Sequence, residues 1–224
     1  MKTNAVLLPY QQRWLADKSK VKIVEKSRRI GISWAEASDC ALSAAATKGE
    51  DSWYIGYNQS MSQQFIHDVA FWAKTYQLSA SETERLVLKD EDKDILCYRV
   101  KFASGYQVTA LSSRPSNLRG KQGRVVIDEA AFHEDFPELM KAGLALLMWG
   151  GKVHVISTHD GADNPFNKLI EDIRAGRKKY SLHKITIDDA IEDGLVERIC
   201  LKLNQKWSPE FEANWKDELL QNYG

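Results

Sequence analysis

Cysteine is scarce. The chain has 3 in 224 residues, at Cys40, Cys97 and Cys200. They lie far apart, and none stands at metal-ligand spacing from another Cys or His, which argues against a disulfide scaffold and against a zinc site. Long apolar runs are missing as well: nothing approaches the roughly 20 residues that cross a bilayer. The opening MKTNAVLLPYQQ has only a few consecutive apolar residues and no small-residue cleavage site, so no signal peptide is read there and the expected location is cytoplasmic. Nor is there a surplus of charge. The 31 Lys and Arg balance 31 Asp and Glu, so attraction to nucleic acid would have to come from local patches such as Arg174, Arg177, Lys178 and Lys179, which read equally well as a solvated helix end. Internal repeats and low-complexity tracts are absent. What remains is ordinary for a globular protein, 43% hydrophobic and 28% charged. A chain of this length can bury about 70% of its unfolded surface, enough for one sizeable α/β domain.

The organising stretch is residues 21–47, VKIVEKSRRIGISWAEASDCALSAAAT. The β-branched run Val21, Ile23, Val24 reads as a buried strand, the basic segment that follows as a loop, and the alanine-rich remainder as a helix. Strand, loop and helix in that order bring successive backbone N–H groups and a helix N-terminus onto one anion. Against the pattern G-x-x-x-x-G-K-[ST], Lys26 stands at the first Gly, Gly31 at the second, Ile32 at the Lys and Ser33 at the Ser/Thr. The missing cation has local substitutes in Lys26, Arg28 and Arg29. Lys26 is the first choice for a polyphosphate; the two arginines can equally meet another acidic group, a neighbouring subunit or DNA.

Upstream, residues 9–18 read as a short helix begun at Pro9. There Tyr10 beside Gln11 can hold a purine by stacking and hydrogen bonds, although packing accounts for Tyr10 and Trp14 as well. Downstream, residues 52–57 read as a strand and 58–78 as a helix capped by Asn58 or Ser60. The polar stretch 79–93 reads as a loop or lid with one short strand at 86–88. Residues 95–102 and 106–111 alternate as a hairpin, and 111–123 is too rich in turn formers for a regular element.

Residues 124–132, RVVIDEAAF, give the second strong signal: a buried parallel strand with two carboxylates at its C-terminal end, where α/β proteins place ligands. Alternation would point Asp128 and Glu129 in different directions, suiting one to Mg²⁺ and the other to polarising water. A strand at 153–156 then ends in Ser157 and Thr158, hydroxyls that can sense a γ-phosphate or simply make a turn. Helices are expected over 139–149 and 165–175, a last strand over 180–187, a helix capped by Asp188, and a final amphipathic helix from Ser208 and Pro209.

Together these stretches resemble the ATPase half of the large terminase subunit of tailed bacteriophages, of the Mu-like and lambda-like kind with a deviant phosphate loop. PYQQRWL (9–15) matches the adenine-side motif, KSRRIGIS (26–33) the phosphate loop and VKFASGYQVTALSS (100–113) the hairpin. SNLRG (116–120) matches the arginine motif, VVIDEAAF (125–132) the carboxylate strand and ISTHDG (156–161) the coupling motif. The resemblance implies an α/β P-loop NTPase of the ASCE or RecA-like type, with a mainly parallel central sheet flanked by helices and an added hairpin. Residues 1–205 would be the ATPase domain and 206–224 a helix or linker toward an RNase H-like nuclease; because the sequence stops short of that domain, nuclease activity is not expected from it.

By the same resemblance the cofactors are ATP and Mg²⁺. Nucleotide contacts fall to Tyr10, Gln11, Lys26, Ser27, Arg28, Arg29, Ile30, Gly31, Ile32 and Ser33, with Ser157 and Thr158 relaying hydrolysis. Ser33 and Asp128 hold the metal, Glu129 is the catalytic carboxylate, and Arg119 acts on the transition state. The implied partners are double-stranded DNA, the portal of a prohead, a small terminase subunit and further copies in a ring, in the cytoplasm of an infected host and with no membrane. A helicase-like P-loop ATPase and a non-hydrolysing nucleotide- or DNA-binding module are the competing readings.

Overall fold

The structure, a computed structural model, describes residues 5–90 and 93–223. One eight-stranded sheet runs through it. In chain order the elements are α1 (Pro9–Ala16), β1 (Val21–Lys26), α2 (Ile32–Ala45), β2 (Ser52–Ile55), α3 (Gln59–Thr75), β3 (Glu84–Asp90), β4 (Lys93–Lys101) and β5 (Gln107–Leu111). They continue with β6 (Arg124–Asp128), α4 (Phe136–Ala145), β7 (Lys152–Ser157), α5 (Pro165–Arg174), β8 (Ser181–Ile185), α6 (Ile187–Glu192), α7 (Leu195–Lys202) and α8 (Pro209–Tyr223). The strand order is β3-β4-β5-β2-β6-β7-β1-β8. Pairing is parallel from β5 through β8 and antiparallel between β3, β4 and β5.

Alternation along the buried strands sorts side chains onto two faces. Val24, Tyr54, Val126 and Ile156 join the core under α1, α2 and α3. Ile23, Val125, Ile127 and Val155 join the one under α4 and α5. By the same parity Lys22 and Lys26, Arg124 and Asp128, and His154 all share the first face. The charged groups at its lower end are buried together. Glu36 of α2, fully buried, accepts from the Trp14 indole at 2.7 Å, meets His154 Nδ1 at 2.6 Å and Arg124 at 3.4 Å. Burial alone would raise the Glu36 carboxyl, but the charges of His154 and Lys22 bring it below the usual carboxylate range.

Two local expectations need correction. The stretch 79–93 is not a loop with a short strand: β3 spans Glu84–Asp90 and pairs along its length with β4. Within that stretch, residues 91 and 92 lie outside the described residues. Charged residues disguised the strand: it is the sheet's edge, where Arg85 is exposed and Glu84 pairs with Arg99 of β4. The helix after β8 is capped by Thr186, whose hydroxyl accepts from Asp189 N–H while the Asp189 carboxylate accepts from Thr186 N–H. Asp188 instead pairs with Lys216 of α8 at 2.7 Å.

Candidate nucleotide-binding site

The site forms where three adjacent parallel strands end. Val24 lies beside Ile156, and Ile156 beside Asp128, so β7 alone separates the strand carrying Lys26 from the one carrying the two carboxylates. Strands lie about 4.8 Å apart, a gap of two spacings that long side chains close. The Lys26 ammonium, 5% exposed, reaches Glu129 Oε1 at 3.0 Å. The Thr158 hydroxyl, from the end of β7, donates to Glu129 Oε2 at 3.4 Å. Ser157 is fully buried; its hydroxyl donates to the Thr158 carbonyl and accepts from Ala131 N–H, fastening the turn after Glu129 to β7.

Glu129 does not continue the strand. Its φ of 50° and ψ of 48° put a non-glycine residue in the left-handed region, a conformation that costs roughly 1–3 kcal/mol and persists where the surroundings enforce it. That twist, rather than strand alternation, brings its carboxylate to the same side as Asp128. Asp128 is 1% exposed. One of its oxygens accepts from the Tyr54 phenol at 2.8 Å and the other from Glu129 N–H at 2.9 Å. Burial pushes the carboxyl up from its ordinary value, while hydrogen bonding to Ser33 and the charge of Lys26 act against it. Tyr54, on neighbouring β2, was not singled out in the sequence. Its register opposite Val126, two residues before Asp128 on the same face, is the signal that assigns it.

The loop itself ends in Gly31, φ 75°, which caps α2. Ile30 and Ile32 are each 1% exposed core residues, so at the position of the usual lysine this chain carries an anchor; only their backbone can face a phosphate. Ser27 is half-buried and Ser33 opens α2. Arg28 and Arg29 are exposed, and among the described residues neither guanidinium is drawn into an ion pair. They border a cavity of about 350 Å³ with Tyr57, Glu129, Phe132 and Thr158.

Tyr10 and Gln11 reach the loop from beneath. Tyr10 is 1% exposed and its hydroxyl donates to the Ile30 carbonyl at 2.5 Å. The Gln11 amide donates to the Gly31 carbonyl at 2.9 Å, so near that a Cβ on Gly31 would stand 2.8 Å from it. Both polar groups are spent on the loop, and the Tyr10 ring has no open face on which to stack a base. Arg119 is the residue that the fold leaves apart. It is exposed and borders a groove of about 610 Å³ with Glu138, Lys141 and Trp149. None of the phosphate-loop or carboxylate residues lines that groove.

Asp128 and Ser33 offer hard oxygen donors of the kind Mg²⁺ prefers. With Tyr54, Glu129 N–H and Ser33 on its roughly four lone-pair positions, the Asp128 carboxylate keeps one acceptor position free. The pair therefore fits a divalent ion that completes its shell with phosphate oxygens and water. Among the described residues no group of three or more His, Cys, Asp or Glu is gathered for a metal.

Two curated proteins match nearly the whole chain. It is 55% identical over 221 residues, 97% of its length, to the Mu-like prophage FluMu protein gp28 of Haemophilus influenzae. It is 50% identical over 228 aligned residues, 99% of its length, to the probable terminase large subunit gp28 of Escherichia phage Mu. Over this stretch the chain is similar to the large terminase subunits of Mu-like phages. It spans 44% and 41% of those two relatives, less than half of each. No family model matches it. In fold, the chain resembles the large terminase ATPase domain of Thermus phage P74-26, with TM-score 0.58, 18% identity and coverage of 91% and 89% of the two chains. It also resembles the large terminase of another thermophilic bacteriophage, solved in complex with ADP, with TM-score 0.59, 15% identity and coverage of 86% and 49%. The P-loop NTPase fold that the resemblance implied is the observed one. No helix among the described residues is long and apolar enough to cross a membrane.

Proposed function

We propose that this chain is the ATP-hydrolysing motor region of a large terminase, acting on double-stranded DNA at the portal of a prohead. The observation that carries the proposal is the convergence of Lys26, Glu129 and Thr158 across three strand ends, beside the Asp128 and Ser33 pair. The backbone N–H groups from Lys26 to Ser33 and the N-terminus of α2 bind the polyphosphate, and Lys26 supplies the charge that Ile32 does not. A bound Mg²⁺ would neutralise phosphate charge as it develops; Asp128 and Ser33 are the residues to hold it. Tyr54 and Glu129 N–H keep Asp128 oriented. Glu129 takes a proton from the attacking water once Lys26 has turned to phosphate and released it. Thr158 registers whether Glu129 is so occupied, giving β7 and the turn after it a means to respond to hydrolysis.

Arg119 is proposed to serve a neighbouring copy in a homo-oligomeric ring, because its own groove holds no phosphate-binding residue. The portal, the small terminase subunit and the host cytoplasm belong to the same proposal, supported by the relatives' place among phage terminases. The test is Glu129→Gln. Turnover is expected to fall by about 10²–10⁴ while equilibrium nucleotide binding is kept. Undiminished turnover removes Glu129 from catalysis; no turnover in the parent protein, even assembled with DNA, favours a non-hydrolysing binding module. Unwinding of forked DNA would favour the helicase-like reading.

A further inference from the structure

With Tyr10 and Gln11 committed beneath the loop, the base of a nucleotide needs another place. A cavity of about 680 Å³ supplies one, within the range of small-ligand sites. One end is the phosphate loop, with Lys26, Arg28 and Thr158. The opposite wall is apolar: Ile187 at the start of α6, Leu195 and Ile199 on α7, and Trp215 and Leu219 one turn apart on α8. Trp215 is half-buried and packs against both the main core and the small cluster under α7 and α8. Lys216, the next residue, pairs with Asp188 of α6 at 2.7 Å, and the indole lines the cavity.

We infer that the nucleotide's base lies in this cavity stacked on Trp215, and that it is recognised by ring area rather than by hydrogen bonds. The site would thus take purine nucleoside triphosphates with little preference between adenine and guanine. The inference rests on the reading of residues 26–33 as a phosphate loop. Stacking is available because an indole offers a broad flat face and every base has one too. Poor discrimination follows from the wall's chemistry. On the wall of Ile187, Leu195, Ile199, Trp215, Leu219 and Leu220 only the indole N–H is a side-chain donor and no side-chain acceptor is present; the polar lining, Lys26, Ser27, Arg28, Arg29 and Thr158, is gathered at the phosphate end. A site rejects an analogue strongly only when its own buried polar groups would be left unpaired, and here none waits to be paired. Pyrimidines, with less area, bind more weakly.

The experiment is calorimetric binding of ATP, GTP, CTP and inorganic triphosphate, with Mg²⁺, to the full chain, Trp215→Ala and Trp215→Phe. Trp215→Ala is expected to lose roughly tenfold or more in ATP affinity and none for triphosphate; Trp215→Phe keeps most of the ATP affinity. In the parent chain ATP and GTP should agree within roughly tenfold, with CTP weaker. Unchanged ATP affinity in Trp215→Ala, or a preference on the order of a hundredfold or more for ATP over GTP, overturns the inference. Should Trp215→Ala fail to fold, indole emission decides: quenching by ATP but not by triphosphate, lost in Trp215→Phe, supports the stack, and its absence overturns it. If triphosphate does not bind the parent chain, the phosphate-loop reading fails and takes this inference with it. If triphosphate binds and the base arms fail, only the inference falls.

Discussion

Lys26 carries the largest burden for a single residue. It stands where the usual loop has a glycine, five residues before Gly31, and its ammonium is directed at the carboxylate of Glu129 rather than at solvent. A charge-assisted hydrogen bond is worth about 1.5–3 kcal/mol. Lys26→Ala is therefore expected to weaken ATP binding by roughly tenfold to a hundredfold and to abolish measurable turnover. Titration of the two variants Lys26→Ala and Arg28→Ala against ATP checks this: if only the arginine variant weakens, the cation is Arg28. The absence of a lysine at Ile32 was plain in the sequence, and so were the three substitutes. Lys26 was the first choice there too, but its reach across β7 to Glu129 is a matter of strand order, which no local pattern encodes. Tyr54 escaped notice for the same reason, since its partner Asp128 lies 74 residues on.

Most regular elements could be read from period and propensity. The strand, loop and helix around Gly31, the hairpin about Gly105 and the Asn58 and Asn164 caps all stand where their residues put them. The edge strand β3 was missed because charged residues such as Glu84 and Arg85 interrupt its apolar pattern. The role of helix α1 was open between base binding and packing, and its geometry is that of a brace: the Tyr10 hydroxyl and Gln11 amide hold the loop's carbonyls from below. Burial pushes the Tyr10 phenol well above its ordinary value, so it stays a donor. Tyr10→Phe leaves the Ile30 carbonyl without that donor, a loss of about 1–3 kcal/mol, or roughly 2–4 °C in Tm for each kcal/mol. Calorimetry and thermal melts should show ATP and triphosphate affinity falling together as Tm drops. A loss confined to ATP would return the ring to the base.

At the scale of the whole molecule, Arg28 and Arg29 border the carboxylate end of the site while Arg119 lies in a separate groove, so the proposed role of Arg119 needs a second copy. If Arg119 works across a subunit boundary, Arg119→Ala and Glu129→Gln proteins, each inactive alone, should regain turnover when assembled together. Some of the contacts then join an intact Glu129 to a neighbour's intact Arg119. No recovery on mixing, measured as phosphate release, would confine Arg119 to its own chain.

A consequence for mechanics lies in the single carboxylate of Glu36. By tying Trp14, Arg124 and His154 to α2, it welds β1's surroundings, β6 and β7 into a plinth whose parts cannot slip past one another. Movement then falls to α8, largely exposed and attached through Trp215 and the Lys216–Asp188 pair. Hydrogen exchange would betray it: amides of β1, β6 and β7 should open last and those of α8 first, and the reverse ranking would move the hinge into the sheet.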